Sequence, residues 1–557
     1  MRDRVILAIS LAHDSGAALF VDGKLVGAVA EERLNRIKLT REFPSRSIEQ
    51  LLGEEGLSFG DVGRVLLSSR ITPNWLSLRF SKFHNRESEN VFSYLRKEVI
   101  REQSWFRKTG LIHIESWFVK NIIANRLREL GCNKPVTQID HHLCHSYSAY
   151  SAAPFDNSLV VSIDAMGDGL CCLVSLGGGG RLRSIREMDG FSSPASIYAQ
   201  ITQLMGFIAA RHEGKVTGLA ALGNPGKCAY LFKKLMSYQK DRFLVKNITS
   251  PNHSIYKEIM KYSREDVAAA LQQVLEDILV EFIKDLIKET GREKIALAGG
   301  LFANVKLNQR IHEIDGVKEI FIFPNMGDGG LPVGAGYCFL RKKPEGLNNI
   351  YLGKAYDNKY IHQLLKKNRF KYKFYEDIEK RTAQCLAEEK VVARFSGRME
   401  YGPRSLGNRS ILYQTCDVSV NDWLNKKLSR TEFMPFAPST MAEYADEYYE
   451  GTDGAKNTSK FMNITFACTE KSKNEQPACV HVDGSARPQL VRKEDNPSYY
   501  RVLKNYHFLT GLPTILNTSF NVHEEPIVAC PEDAIRAFEN CGLDYLVLEN
   551  FLVERDL

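Results

Sequence analysis

No stretch of this chain reaches the ~20 consecutive apolar residues that a membrane-spanning helix needs. The opening MRDRVILAISLAHDSG breaks its short apolar run at His13, Asp14 and Gly16. Neither a secretory leader nor a membrane anchor is expected there, and a membrane is not an expected partner. C-x-x-C pairs are missing too. Of twelve cysteines only Cys171 and Cys172 are neighbours, so neither a zinc ribbon nor a disulfide ladder is indicated. Reduced, mostly buried thiols in a cytoplasmic protein are the expectation. Charge of one sign is also scarce: 74 Lys and Arg against 67 Asp and Glu leave +7 over 557 residues. That mild excess suits anionic small substrates. With no dominant basic run, nucleic acid is not an expected partner. Hydrophobic residues at 44% and charged residues at 25% are ordinary for a globular protein. At ~150 residues per domain the length suggests two to four domains.

What is present reads as alternating strands and helices. Residues 5–10, 17–21 and 25–30 are β-prone runs separated by turns at His13-Asp14-Ser15-Gly16 and Asp22-Gly23. Helical spacing marks 115–130, 194–210 and, most strongly, 264–290, where Val267, Leu271, Val274, Ile278 and Phe282 recur. Short apolar strands at 159–163, 294–298 and 320–323 run into Asp164, into Gly299-Gly300, and into Pro324 followed by Gly327-Asp328-Gly329-Gly330. Strands that end in Asp or Gly before a helix predict an α/β fold whose strand ends line a ligand crevice. The charged stretch 341–346, with its Pro and Gly, predicts a boundary, so the expected domains are 1–345 and 346–557. In the second, strands are expected at 391–395 and 514–517, a helix at 421–428, and an exposed loop at 469–478.

Three constellations carry chemistry. In Asp140-His141-His142-Leu143-Cys144-His145, His141 and His145 fall one helical turn apart, so two imidazoles can reach one metal ion. Asp164 and Asp328, at strand ends, would complete such a site, and two His with carboxylates and open positions suit Fe(II), Mn or Zn. The plainer alternative is a set of surface or capping histidines. The second constellation is Gly299, Gly300, Asn304 and Gly329. Glycines at strand ends followed by helices let a backbone approach phosphates, which points to a nucleotide, although tight turns look the same. The third is GRMEYGPRSLGNRS at 397–410, with three arginines and three glycines, followed by Arg430, Arg487 and Asn517-Thr518-Ser519-Phe520-Asn521. Guanidinium forks with Ser and Asn donors are what a phosphate or carboxylate pocket needs.

LAISLAHDSGAAL, DHHLCHSYSAY, GRMEYGPRSLGNRSIL, FMPFAPS and ILNTSFNVHEEPIV resemble, nearly end to end, the ATP-dependent O-carbamoyltransferases that tailor nodulation factors and antibiotics. The resemblance implies an actin-like (ASKHA) first domain of two related α/β halves and a YrdC-like α/β second domain. It implies that carbamoyl phosphate and ATP give carbamoyl adenylate in the second, and that the first passes the carbamoyl group to a hydroxyl of a small natural product. It assigns metal binding to His141, His145, Asp164 and Asp328, with Fe(II) the expected ion and Mg accompanying ATP. It sets His13 and Lys215 as catalytic, at the transfer centre and near the substrate or nucleotide. It gives carbamoyl phosphate and ATP to Arg404, Arg430, Arg487, Ser519 and Asn521. A homodimer is a further expectation. The chain departs from the family pattern at Ala165, Ser405, Gln414-Thr415-Cys416, Thr217, Ala221 and Leu222, which suggests one lost phosphate contact and an acceptor pocket of different shape. Two other classes fit parts of the pattern. An actin-like ATPase or sugar kinase would need neither the histidines nor the Arg-rich pocket, and a threonylcarbamoyl-type tRNA modifier would need a basic tRNA surface.

Overall fold

The computed structural model describes residues 4–75, 78, 102–246, 248, 250, 252–368, 370–429 and 436–555. By packing, the chain divides into Met1–Glu31 with Leu39–Leu347, and Glu32–Lys38 with Asn348–Leu557. Nothing in the composition announces that Glu32–Lys38 packs with the later residues.

The first unit contains two five-stranded sheets of one order. In the first sheet Val5–Ser10, Gly16–Val21 and Lys24–Ala30 form an antiparallel meander, and Arg64–Leu67 and Val136–Gln138 extend it in parallel. In the second, Leu159–Gly167, Leu170–Gly178 and Arg181–Asp189 form the meander, and Lys294–Ala298 and Glu319–Ile322 extend it in parallel. A meander followed by two parallel strands, built twice, is the actin-like α/β arrangement of two related halves. The halves share topology and burial rather than residues, so the sequence alone conceals the repeat. The helix Arg264–Thr290 has the bounds its spacing predicts. Ser263 caps it by accepting from Asp266 N, and Gly291 ends it at φ 64°. The helix His141–Ala152 packs closely against Leu331–Leu340, because a Cβ on Gly334 would stand 1.9 Å from the Cys144 carbonyl oxygen.

The second unit is built on an eight-stranded mixed sheet. Its order is Tyr372–Phe374, Phe551–Glu554, Tyr545–Leu548, Val392–Phe395, Arg409–Tyr413, Thr514–Ser519, Ala437–Met441 and Gln489–Val491. Successive residues face opposite sides, as strand pleating demands. Ile411, Leu516 and Leu546 join a core with Leu424 and Phe538, while Leu412, Ile515 and Val547 join another with Leu386 and Val502.

Three elements differ from expectation. The strand expected to stop at Ile163 runs on through Asp164 to Gly167. The helix that starts at Pro194 ends at Leu204. Residues 469–478 are not an exposed loop: Thr469 caps a helix over Glu470–Glu475, and Ser472, Gln476 and Ala478 are buried. Gln476 Nε2 donates to Ser472 Oγ (2.6 Å) and Tyr449 OH (3.1 Å), so a polar segment goes inside because its polar groups satisfy one another. No helix among the described residues is long and apolar enough to cross a membrane.

Candidate functional site

The first site is built at the start of helix His141–Ala152. Asp140 caps this helix, its Oδ1 accepting from His142 N (3.1 Å) and Leu143 N (3.4 Å), and Arg107 holds its other oxygen at 2.7 Å. Buried Asp168 accepts from His141 N (2.9 Å), Ser69 Oγ (2.6 Å) and Ile71 N (2.9 Å). With the helix start fixed, His141 and His145 project from one face, one turn apart. Gly167 makes room for them, since a Cβ there would lie 2.1 Å from the His141 ring. Asp164 comes from the strand Leu159–Gly167, and Asp328 opens the turn beyond Glu319–Ile322.

His145 Nε2 lies 3.3 Å from Asp164 and 3.6 Å from Asp328, and His141 Nε2 lies 3.8 Å and 3.5 Å from the same carboxylates. One donor atom from each of the four residues falls within 4.8 Å of the others. Both imidazoles are fully buried, and none of their ring nitrogens makes a hydrogen bond to another described residue. Burial disfavours the His141 imidazolium, yet Asp328 and Asp164 outweigh it and lift its pKa to about 9. Burial resists charge on Asp164 as well, but the facing imidazoles hold it well below the usual carboxylate range. Orphaned ring nitrogens opposite two carboxylates fit one divalent cation of mixed N/O preference. The adjacent His142 is different. Burial and its two neighbours push it down to about 3, and Ser162 Oγ and the Leu170 carbonyl, each at 3.0 Å, occupy both its nitrogens.

His13 borders this cluster, its Nε2 3.8 Å from Asp328 Oδ2 and its side chain 39% exposed, where the four donors are nearly covered. Arg41 lies in no motif that singles it out: burial lowers its pKa, and Asp328 opposes that. Lys215 stands on the helix Glu213–Ala220 with its ammonium 6.0 Å from the centre of the Phe207 ring, and it is not among the four converging donors. The nucleotide candidates each have a packing duty. A Cβ on Gly299 would meet the Ile163 oxygen at 2.1 Å, one on Gly300 would stand 3.1 Å from Asp164 Oδ1, and one on Gly329 would stand 2.8 Å from the Asn325 amide. Asn304 caps the helix Val305–His312, accepting from Leu307 N at 3.0 Å, and exchanges two amide hydrogen bonds with Gln272 at 2.8 and 3.1 Å.

The second unit gathers its candidates at one end of its sheet. Arg409–Tyr413 starts there with Ser410 opposite Ser519, where Thr514–Ser519 ends, and the parallel pair Ala437–Met441 and Gln489–Val491 starts beside them. The loops bearing Arg404, Arg487 and Asn521 therefore leave one edge. Arg430 lies outside the described residues. Buried Glu400 shapes the first loop by accepting from the backbone N–H groups of Leu406 (2.8 Å), Asn408 (2.9 Å) and Arg409 (3.1 Å). Of its three arginines, two are spent on the main chain. Arg409, fully buried 3.6 Å over the Phe395 ring, donates to the carbonyls of Ser396, Asn408, Lys354 and Gly397. Arg398 donates to those of Leu352 and Gly353. Arg404 differs: among the described residues its buried Nε has no partner and no countercharge opposes the burial that lowers its pKa to about 10. Arg487 is lowered well below its usual value, by burial and then by Arg404 itself. Two desolvated like charges with no carboxylate beside them among the described residues call for an anion. Behind them Asn517 Nδ2, from the late Asn-Thr-Ser-Phe-Asn run of the same constellation, donates to Gln489 Oε1 (3.0 Å), Ser439 Oγ (3.1 Å) and the Ser405 carbonyl (3.3 Å). Ser519 Oγ donates to Asn521 Oδ1 (2.6 Å), and Asn521 Nδ2 donates to the Glu525 carbonyl (2.8 Å), so Asn521 shapes its own loop.

Two family profiles match this chain: carbamoyltransferase N-terminus over residues 5–337 and carbamoyltransferase C-terminus over 383–555. An uncharacterized protein of Synechocystis sp. is 31% identical over 98% of this chain and 95% of its own. Nodulation protein NolNO of Sinorhizobium fredii is 29% identical over 98% of this chain and 79% of its own. Nodulation protein NolO of Bradyrhizobium diazoefficiens is 32% identical over 75% of this chain and 79% of its own. The chain belongs to the carbamoyltransferase family. It is accordingly an enzyme that transfers a carbamoyl group.

Proposed function

We propose that this enzyme makes carbamoyl adenylate from carbamoyl phosphate and ATP in its second unit and transfers the carbamoyl group, in its first unit, to a hydroxyl of a small natural product. One observation carries the reading. The chemistry is divided, with desolvated Arg404 and Arg487 facing no carboxylate among the described residues of one unit and four converging His and Asp donors in the other.

A carbamoyl group is a poor electrophile until its oxygen belongs to a good leaving group, and AMP supplies one. In the first step the phosphoryl group of carbamoyl phosphate passes to water and leaves as phosphate. The freed carbamate oxygen attacks the α-phosphorus of ATP, and pyrophosphate departs. Arg404 and Arg487 hold the phosphates and match the charge on their oxygens. In the second step the acceptor oxygen bonds to the carbamoyl carbon, the bond to AMP breaks, and His13 takes the hydroxyl proton. A divalent cation held by His141, His145, Asp164 and Asp328 would supply Lewis-acid polarisation, a contribution of ~3–4 kcal/mol for one well-placed electrophile. Fe(II) in that site and Mg with ATP belong to the same reading. So do a nucleotide near Gly299, Gly300, Asn304 and Gly329, Lys215 by the substrate, a YrdC-like second unit, a cytoplasmic location and a homodimer.

Labelled carbamoyl phosphate and ATP test the division. Arg404→Ala is expected to stop pyrophosphate release. His141→Ala is expected to spare that release while losing bound metal and carbamoyl transfer. The opposite pattern would exchange the roles of the two units.

A further inference from the structure

The second unit includes one piece of chain from far upstream. After the strand Lys24–Ala30, the segment Glu32–Lys38 makes a short helix over Glu32–Asn35, and at Leu39 the chain rejoins the first unit. Arg33, almost fully buried, donates from Nη2 to the Gly402 carbonyl at 2.6 Å. Arg36 donates from Nη1 to the Ile527 carbonyl (2.8 Å) and from Nη2 to the Pro526 carbonyl (2.7 Å). The same guanidinium lies 3.5 Å from Asp533 and 3.7 Å from Glu525. Arg36 has φ 63°, a left-handed backbone, and its N–H closes the short helix on the Glu32 carbonyl at 3.0 Å. A non-glycine residue keeps that conformation only where surrounding contacts hold it.

The carbonyls these two arginines choose belong to the loops of the anion pocket. Gly402 stands two residues before Arg404. Residues 525–527 close the loop that starts at Asn521, whose Nδ2 is bonded to the Glu525 carbonyl at 2.8 Å. Arg33 thus grips the loop of Arg404, and Arg36 grips the loop of Asn521. We infer that Arg33 and Arg36 are positioning residues for the first step, setting the loop that carries Arg404 and the loop that Asn521 shapes so that the two close on one phosphate. The inference rests on the reading of that pocket as the carbamoyl phosphate and ATP site. Both guanidinium groups are engaged by main-chain carbonyls, so their part is to position the loops and not to bind the anion. Losing one leaves the pocket's own groups in place but misaligned, so the cost falls on phosphate binding.

The full chain tests this through initial pyrophosphate release against carbamoyl phosphate concentration. Arg36→Gln is expected to raise KM about tenfold or more, the size of one lost hydrogen bond from a charged group. The effect on kcat should be smaller, and metal content unchanged. Arg36→Lys, which keeps the charge and one donor, should recover part of the affinity. Arg33→Lys, a milder change at a buried position, should raise KM in the same direction. A merely structural segment would lower the melting temperature and leave KM alone. Wild-type KM in both Arg36→Gln and Arg33→Lys would overturn the inference. Arg404→Ala, run beside them, separates the two failures: if it releases pyrophosphate normally, the pocket reading falls and the inference falls with it.

Discussion

Residues His141 and Asp164 depend on each other for charge, and that gives the metal-free protein a pH signature. His141 is raised to about 9, so its contribution to stability is complete below the unfolded value of ~6.5 and is lost as pH rises through about 9. Asp164 is depressed, so its contribution is complete above the unfolded value of ~3.8 and is lost as pH falls further. Melts in chelator should therefore show a decline in stability from pH ~6.5 to 9 that His141→Asn removes. Bound metal replaces the His141 proton, so the loaded protein should not show that decline. Identical profiles with and without metal would count against the cluster. His13, 3.8 Å from Asp328, should act differently. His13→Asn is expected to slow carbamoyl transfer by ~10²–10⁴, the usual range for a lost general base, with metal content and pyrophosphate release intact. Transfer at the wild-type rate would leave His13 a structural role. The four-donor set was legible because a one-turn His spacing and carboxylates at strand ends are local signals. Arg41 was not legible, because only the fold sets it in the field of Asp328.

At the scale of elements, the segment 397–410 shows why composition stops short of assigning roles. Its three arginines look alike in sequence, yet Arg409 and Arg398 are occupied by backbone carbonyls, and Arg404 is left with no partner for its buried Nε. Arg409→Ala should cost at least ~3 kcal/mol, because it strands several buried carbonyls. Arg404→Ala should leave thermal stability unchanged or higher, because it removes a desolvated charge that has no partner. Denaturant unfolding of the two variants checks the contrast, and equal losses would contradict it. Buried strands and capped helices were readable, as at Lys294–Ala298 and Arg264–Thr290, because a strand covered on both faces reads as a short continuous apolar run and a helix buried on one side reads as a helical period. The helix Glu470–Glu475 was not, because Gln476 and Ser472 go inside through mutual hydrogen bonds, which leave no apolar period behind. The segment Glu32–Lys38 was not readable either, since its partners lie hundreds of residues downstream.

For the whole molecule, two like-ordered sheets in one unit and a mixed eight-stranded sheet in the other carry two candidate sites of different side-chain chemistry on one chain. The fold class was readable from strands ending in Asp and Gly, whereas the doubling of the meander was not, because it is a repeat of topology. Both proposed half-reactions meet in one intermediate, a carbamoyl adenylate. The most direct measurement uses the full-length enzyme with carbamoyl phosphate labelled at carbon and ATP labelled at the α-phosphate. Pyrophosphate release should require carbamoyl phosphate, and an adduct carrying both labels should give way to AMP when a hydroxyl acceptor is carbamoylated. Carbamoylation of the acceptor without ATP, or with ADP as the nucleotide product, would contradict an adenylate intermediate.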